Sequence, residues 1–127
     1  MRLLLDTHTL IWHYEDKPLL SEAVNQALDD PANQIFISTA SLWEMAIKTN
    51  LGKLNLSRPI HEVVAAYAEA GAEILPISPS HALATASLPL HHRDPFDRML
   101  ITQARYEDLT LVSRDSLFAS YDLKTMW

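Results

Sequence analysis

The stretch "RLLLDTHTL", residues 2–10, decides the fold. Its leucines run on without alternating polar residues, as expected of a strand covered on both faces inside a parallel sheet. Working outward, "QIFIS" (34–38) supplies a second strand and "AEILPIS" (72–78) a third, with Pro76 limiting its pairing. "LTLVS" (109–113) is a fourth, and the tail "YDLKTMW" (121–127) offers a fifth. Helical patterns fill the intervals. "LLSEAVNQALDD" aligns Leu20, Val24, Ala27 and Leu28 on one stripe, and Pro31 and Asn33 punctuate its exit. "TASLWEMAIKTNLG" has a Ser/Thr start and stops at Gly52. "RPIHEVVAAYAEAG" gathers Ile60, Val63, Val64 and Tyr67 on one face, "SPSHALATASL" is a short helix, and "DPFDRMLITQARYED" a longer one. Strand–helix alternation of this kind predicts an α/β domain, residues 1–127, with a mostly parallel sheet of about five strands flanked by helices.

Gross composition narrows the function classes. With 48% hydrophobic and 20% charged residues over 127 positions, the chain can bury a core without staples. It has no cysteine, which removes disulfides and thiolate metal sites. "MRLLL" is too short for a signal peptide and no later run approaches a spanning length, so a soluble, cytoplasmic protein without membrane contact is expected. A net charge of −6 argues against coating duplex nucleic acid, but not against a small metal-dependent nuclease.

In open parallel α/β sheets, functional groups collect at the carboxyl ends of the strands. Four acids satisfy that rule. Asp6 directly follows "RLLL", Glu44 lies on the first turns of the helix after "QIFIS", Asp97 starts the helix of "DPFDRML", and Asp115 follows "LTLVS". Asp6 also fits a helix N-cap, although Thr7 and Thr9 offer equally good caps. Glu44 and Lys48 form the one narrow charged stripe on a helix otherwise surrounded by Leu42, Trp43, Met45, Ala46, Ile47 and Leu51. Such a helix should be buried, with its polar stripe bordering a cleft, unless Glu44 and Lys48 are only a surface ion pair. An aspartate placed like Asp115 often starts a turn or caps a helix. Pro95 suits a first helical position, which makes Asp94 the N-cap and puts Asp97 at N3. There Asp97 could close the cap reciprocally, and the helix dipole favours its negative charge.

If the sheet is parallel, all four acids can face one crevice. Two unit charges about 5 Å apart repel by roughly 3 kcal/mol at an effective dielectric near 20, so such a cluster calls for a cation. Oxygen ligands select Mg²⁺ or Mn²⁺ over zinc. The six histidines do not revive zinc: no H-x-x-x-H pair exists, and adjacent His91 and His92 diverge, reading as loop residues near the substrate. Hard divalent ions suit phosphoryl chemistry. Arg93, Arg98, Lys48 and Arg114 could then hold a phosphate backbone locally.

These residues carry a resemblance. "LLLDTHTLIW", "STASLWEMAIK", "HHRDPFDRMLITQA" and "LVSRD" resemble the successive motifs of PIN-domain ribonucleases, above all the VapC-like toxins of bacterial toxin–antitoxin pairs. "HRDPFDR" before an apolar helix is the specific part, whereas "LLDT" alone is weak. The resemblance implies a Mg²⁺- or Mn²⁺-dependent endoribonuclease that hydrolyses RNA with a metal-activated water. It places the acids and metal ligands on Asp6, Glu44, Asp97 and Asp115, with Thr7 and Ser113 at small hydroxyl positions beside them and Asp94 and Arg98 as secondary candidates. It also implies a small cognate antitoxin and a homodimer.

Two other functions compete. A haloacid-dehalogenase-like phosphatase would use Asp6 as nucleophile, but it wants a second acid two residues on, where this chain has His8. A non-catalytic PIN-like module binding a protein or RNA would have no need of an acid cluster that only lowers stability.

Overall fold

A computed structural model describes all residues, 1–127. The leucine run is β1 (Arg2–Leu5), followed by α1 (Thr7–Glu15), α2 (Glu22–Asp29), β2 (Gln34–Ser38), α3 (Thr39–Asn50) and α4 (Ile60–Glu69). Then come β3 (Glu73–Leu75), α5 (Pro79–Ala84), α6 (Pro95–Tyr106), β4 (Thr110–Val112), a 3₁₀ turn (Ser116–Ser120) and β5 (Thr125–Met126). All five expected strands form. They pair in parallel in the order β3-β2-β1-β4-β5.

The apolar run behaves as a doubly covered strand must. Leu3 and Leu5 face one side of the sheet, packing with Leu10 of α1, Val24 and Ala27 of α2, and Val63 and Tyr67 of α4. Leu4 faces the other, against Leu100, Ile101 and Ala104 of α6 and Phe118 and Tyr121 near the chain end. All three leucines are fully buried. Truncating a leucine in such a core costs about 2–5 kcal/mol.

The strand order also places the site. From β1 the chain runs outward through β2 and β3 on one side, then returns to add β4 and β5 on the other. The order therefore reverses between β1 and β4, and the crevice outside the carboxyl ends of strands at such a switch point is where ligands bind in open α/β sheets. Asp6 leaves β1 on one side of this switch and Ser113 leaves β4 on the other.

Helix α3 corrects one expectation. It is not buried all round: Trp43 and Leu51 are each 60% exposed, and Ala46 and Ile47 also face outward. Apolar composition fixed how greasy the helix is, not which sides find cover. Its covered side packs on β2, α1, α4 and α6 and carries Ala40, Ser41, Glu44 and Met45. Trp43 gains partial shelter from Phe96 of α6, edge-on at 5.3 Å.

Candidate active site

Asp6 is held more tightly than any other acid of the chain. Oδ1 accepts the Thr9 amide at 2.7 Å, so Asp6 is the N-cap of α1 after all, despite the hydroxyls that follow it. Thr7 and Thr9 have other work. Thr7 Oγ1 donates to Ser41 Oγ of α3 at 3.1 Å, and Thr9 Oγ1 donates to the Val112 carbonyl at 3.1 Å. Asp6 Oδ2 accepts from Ser113 Oγ at 2.5 Å. Burial raises the Asp6 carboxyl above its ordinary value, against the opposing pull of Ser113 and Thr9.

Ser113 is a junction. Besides donating to Asp6, its hydroxyl accepts the Asp115 amide at 3.1 Å. Asp115 in turn caps the 3₁₀ turn, Oδ1 accepting the Leu117 amide at 2.9 Å. Its Oδ2 lies 3.0 Å from His92 Nε2. Burial works against the charge of Asp115, but the His92 hydrogen bond, the Leu117 amide and the His92 ring together outweigh it and hold the carboxyl below its ordinary value.

Across the crevice the acids sit on helices. Asp94 caps α6 as expected, its Oδ1 accepting the Phe96 amide at 2.8 Å and the Asp97 amide at 3.2 Å. Asp97 does not return a bond to close the cap, and its carboxylate accepts nothing from the protein. Burial, the Asp94 charge beside it, and the charges of Glu44 and Asp6 push its carboxyl up to about 7, with only His92 pulling the other way. That Glu44 and Asp6 act on Asp97 brings three separate elements together: the end of β1, the middle of α3 and the first turn of α6. Glu44 is buried and paired with Lys48, Oε2 to Nζ at 2.7 Å, so the i,i+4 ion pair exists, but its acid end points inward. Asp115 is not among the charges acting on Asp97 and joins the group through Ser113 and Asp6, and through His92, which is bonded to Asp115 and acts on Asp97.

The donor set suits a hard divalent cation, being all carboxylate oxygen with an uncompensated like-charge contact. As the side chains stand, no three His, Asp or Glu groups form a direct ligating set. Lys48 serves as the resident counter-charge of Glu44.

Two residues differ from their sequence-based expectation. The guanidinium of Arg98, expected to hold phosphate, donates to the carbonyls of Pro89, His92, Thr85 and Leu88 at 2.9–3.2 Å. It clamps the segment before α6, because a turn without regular pairing must find donors for its inward carbonyls. His92, expected as a loop residue beside substrate, is 7% exposed and lies flat on Phe118 with ring centroids 4.6 Å apart. Its partners Asp115, Phe118 and Tyr121 lie 23 to 29 positions downstream, so no local pattern announces it. His91, by contrast, is exposed, as are Arg93 and Arg114 beside the site.

An α/β sheet with acids near its switch point defines a class of fold on which many unrelated functions are built. The PIN domain family model matches residues 3–124, and the chain belongs to that family. No curated protein sequence gives a significant match. Among solved structures, the fold is shared with a chain of VapBC2 from Rickettsia felis, bound to a DNA fragment from its promoter, at TM-score 0.74 and 20% identity. That alignment covers 99% of this chain and 98% of the other. A chain of DNA-bound VapBC from Salmonella typhimurium follows at 0.68 and 17%, covering 99% and 97%. FitAcB from Neisseria gonorrhoeae gives 0.65 and 21%, covering 98% and 96%. No helix is long and apolar enough to cross a membrane.

Proposed function

We propose that the chain is a divalent-metal-dependent endoribonuclease acting as the toxin of a toxin–antitoxin pair, with Asp6, Glu44, Asp97 and Asp115 as its acid site. One observation carries the reading: Asp97 on the first turn of α6 has no hydrogen-bond donor, and the charges of Asp6 from β1 and Glu44 from α3 add to burial in pushing it up to about 7. Membership in the PIN family supports a nuclease, and the similar folds from VapBC and FitAB complexes support a small antitoxin partner.

Bound Mg²⁺ or Mn²⁺ would supply charge neutralisation, polarisation of the phosphodiester and activation of the attacking water. Asp6 would hold it from the rigid strand end, with Asp97 and Glu44 facing it from the helices and Asp115 completing the site or holding a second ion. Mg²⁺ is commonly held by only one or two carboxylates, so the site would not need every acid as a direct ligand. Glu44 would face the ion with Lys48 at its other side, and Lys48 is a cation that could also meet the phosphate backbone. Exposed Arg114 directly precedes Asp115, exposed Arg93 precedes the cap residue Asp94, and both can contact the phosphate backbone. A homodimer is part of this proposal.

One observation favours a second reading, a non-catalytic module that binds RNA or a partner protein: no three side chains stand ready to ligate an ion. RNA cleavage with Mg²⁺ or Mn²⁺, with and without chelator, on wild type and Asp97→Asn separates the two. The nuclease reading expects chelator-sensitive cleavage that Asp97→Asn abolishes. Equal cleavage by both proteins, or none by either, contradicts it.

A further inference from the structure

Asp115 is the most exposed of the four acids, its side chain 47% accessible, yet both its oxygens are already engaged. A half-exposed aspartate without tethers samples several rotamers, and each rotamer moves its oxygens by ångströms. Here the tethers are the Leu117 amide on Oδ1 and, on Oδ2, His92, whose every polar group has a defined partner. The His92 amide donates to the Tyr121 hydroxyl at 2.8 Å, and the His92 carbonyl accepts from Arg98 at 3.2 Å. The ring lies flat against Phe118.

Hydrogen-bond logic sets the tautomer of this imidazole. Asp115 accepts only, so the neutral ring carries its proton on Nε2 and donates it to Oδ2. Nδ1 is then an acceptor, and the Tyr121 hydroxyl 3.2 Å away supplies its proton. Tyr121 thus accepts from the His92 backbone and donates to the His92 ring. The chain of bonds continues beyond the carboxylate: the Asp115 amide donates to Ser113, and Ser113 donates to Asp6. One connected path therefore runs from Tyr121 through His92, Asp115 and Ser113 to Asp6. It ties the segment that enters α6 to the strand ends on the other side of the crevice. Each Asp115 oxygen has a second lone pair, so these bonds aim the carboxylate without exhausting it.

We infer that His92 is a positioning residue of the acid site, its Nε2–H fixing the Asp115 carboxylate so that it is set beside Asp6 for a divalent cation. The inference rests on the proposed function for its purpose, while the His92–Asp115 pair itself stands on geometry alone. Groups that orient a ligating side chain in this way typically change metal affinity or activity 10–100-fold when removed. A purely structural role, in which the ring only fills space against Phe118, predicts no such change if an aromatic ring is kept.

Two variants separate these roles. His92→Phe keeps a flat ring for Phe118 but has no Nε2–H, and His92→Gln returns an amide N–H at a similar reach without the ring. Mn²⁺ affinity by titration calorimetry, RNA cleavage and thermal melting are measured for both, beside the side-chain ¹⁵N spectrum of His92 in wild type and Asp115→Asn. The expected result is a loss of about 10–100-fold in Mn²⁺ affinity for His92→Phe. His92→Gln should recover most of that loss even if it melts lower. The wild-type spectrum should show a protonated Nε2 that shifts in Asp115→Asn. Unchanged Mn²⁺ affinity in a folded His92→Phe, or equal losses in both variants, overturns the positioning role. A neutral ring with its proton on Nδ1 and none on Nε2, or a spectrum indifferent to Asp115→Asn, overturns the pair whether or not metal binds. Should wild type bind no Mn²⁺ while the spectrum shows the pair intact, the failure lies with the metal-dependent function, and the positioning role falls with it.

Discussion

The two halves of the acid site solve the problem of buried negative charge in different ways. On the β1/β4 side, Asp6 and Asp115 are each held by two hydrogen bonds and linked through Ser113. On the α3/α6 side, Glu44 leans on one lysine, and Asp97 has no hydrogen-bond partner while three other acids push against it. The first half is built to hold its geometry in any state. The second is strained by its own charge and is relieved only by a proton or a cation. Position in the fold explains the contrast. Strand ends offer neighbouring backbone and side-chain donors at fixed spacing, whereas carboxylates projecting from helices meet one another across open space.

The largest expected effects come from the charged half. Asp97→Asn and Glu44→Gln should each lower metal-dependent RNA cleavage about a hundredfold or more, since interactions with a catalytic ion are worth several kcal/mol and every 1.4 kcal/mol is tenfold. The same Asp97→Asn change should raise the melting temperature at pH 7.5 in chelator, because it removes a buried charge repelled by its neighbours. A lower melting temperature there would break the contrast.

Acid–base linkage gives the next test. The Asp97 carboxyl is raised to about 7 in the folded state, above its unfolded value near 4. Its stabilising contribution is therefore fully present below pH 4 and is lost as pH rises through about 7. Burial of His13 lowers its pKa and works in the opposite direction below about pH 6.5, so the comparison must be between wild type and Asp97→Asn at each pH. In chelator, wild type should lose stability relative to the variant between pH 5 and 8, as read from melting curves.

The hydrogen-bonded half should respond differently. Ser113→Ala removes a bond to a buried carboxylate and should destabilise the fold by about 1.5–3 kcal/mol, measured by denaturant unfolding. No gain in stability in chelator is expected. Smallest of all, Arg93→Ala and Arg114→Ala should raise KM for RNA a few-fold and leave the melting curve unchanged, since exposed charges are worth about 1 kcal/mol or less.

How much of this was legible in the sequence depends on the range of the interactions. "QIFIS" becomes β2 without adjustment because a buried parallel strand is an apolar run, and the Asp94–Pro95 cap is legible because it is made within one helical turn. The rule that functional groups collect at strand ends singles out the four acids as candidates. What composition could not show was which side of α3 is covered, so an apolar helix was expected to be buried and instead exposes Trp43 and Leu51. Arg98 and His92 were hidden for a different reason. An arginine in a charged motif looks the same whether it meets solvent or four carbonyls, and the partners of His92 lie beyond β4.

The central claim is that the charged half of the site awaits a divalent cation. Its most direct test is the melting temperature of wild type and Asp97→Asn at pH 7.5, with chelator and with saturating Mn²⁺. Binding to the folded state alone raises stability by about 2.7 kcal/mol at a hundred times the dissociation constant. Wild type should therefore melt several degrees higher with Mn²⁺, and Asp97→Asn should start higher in chelator and gain little. A wild type indifferent to Mn²⁺, or an equal rise in both proteins, would contradict the account.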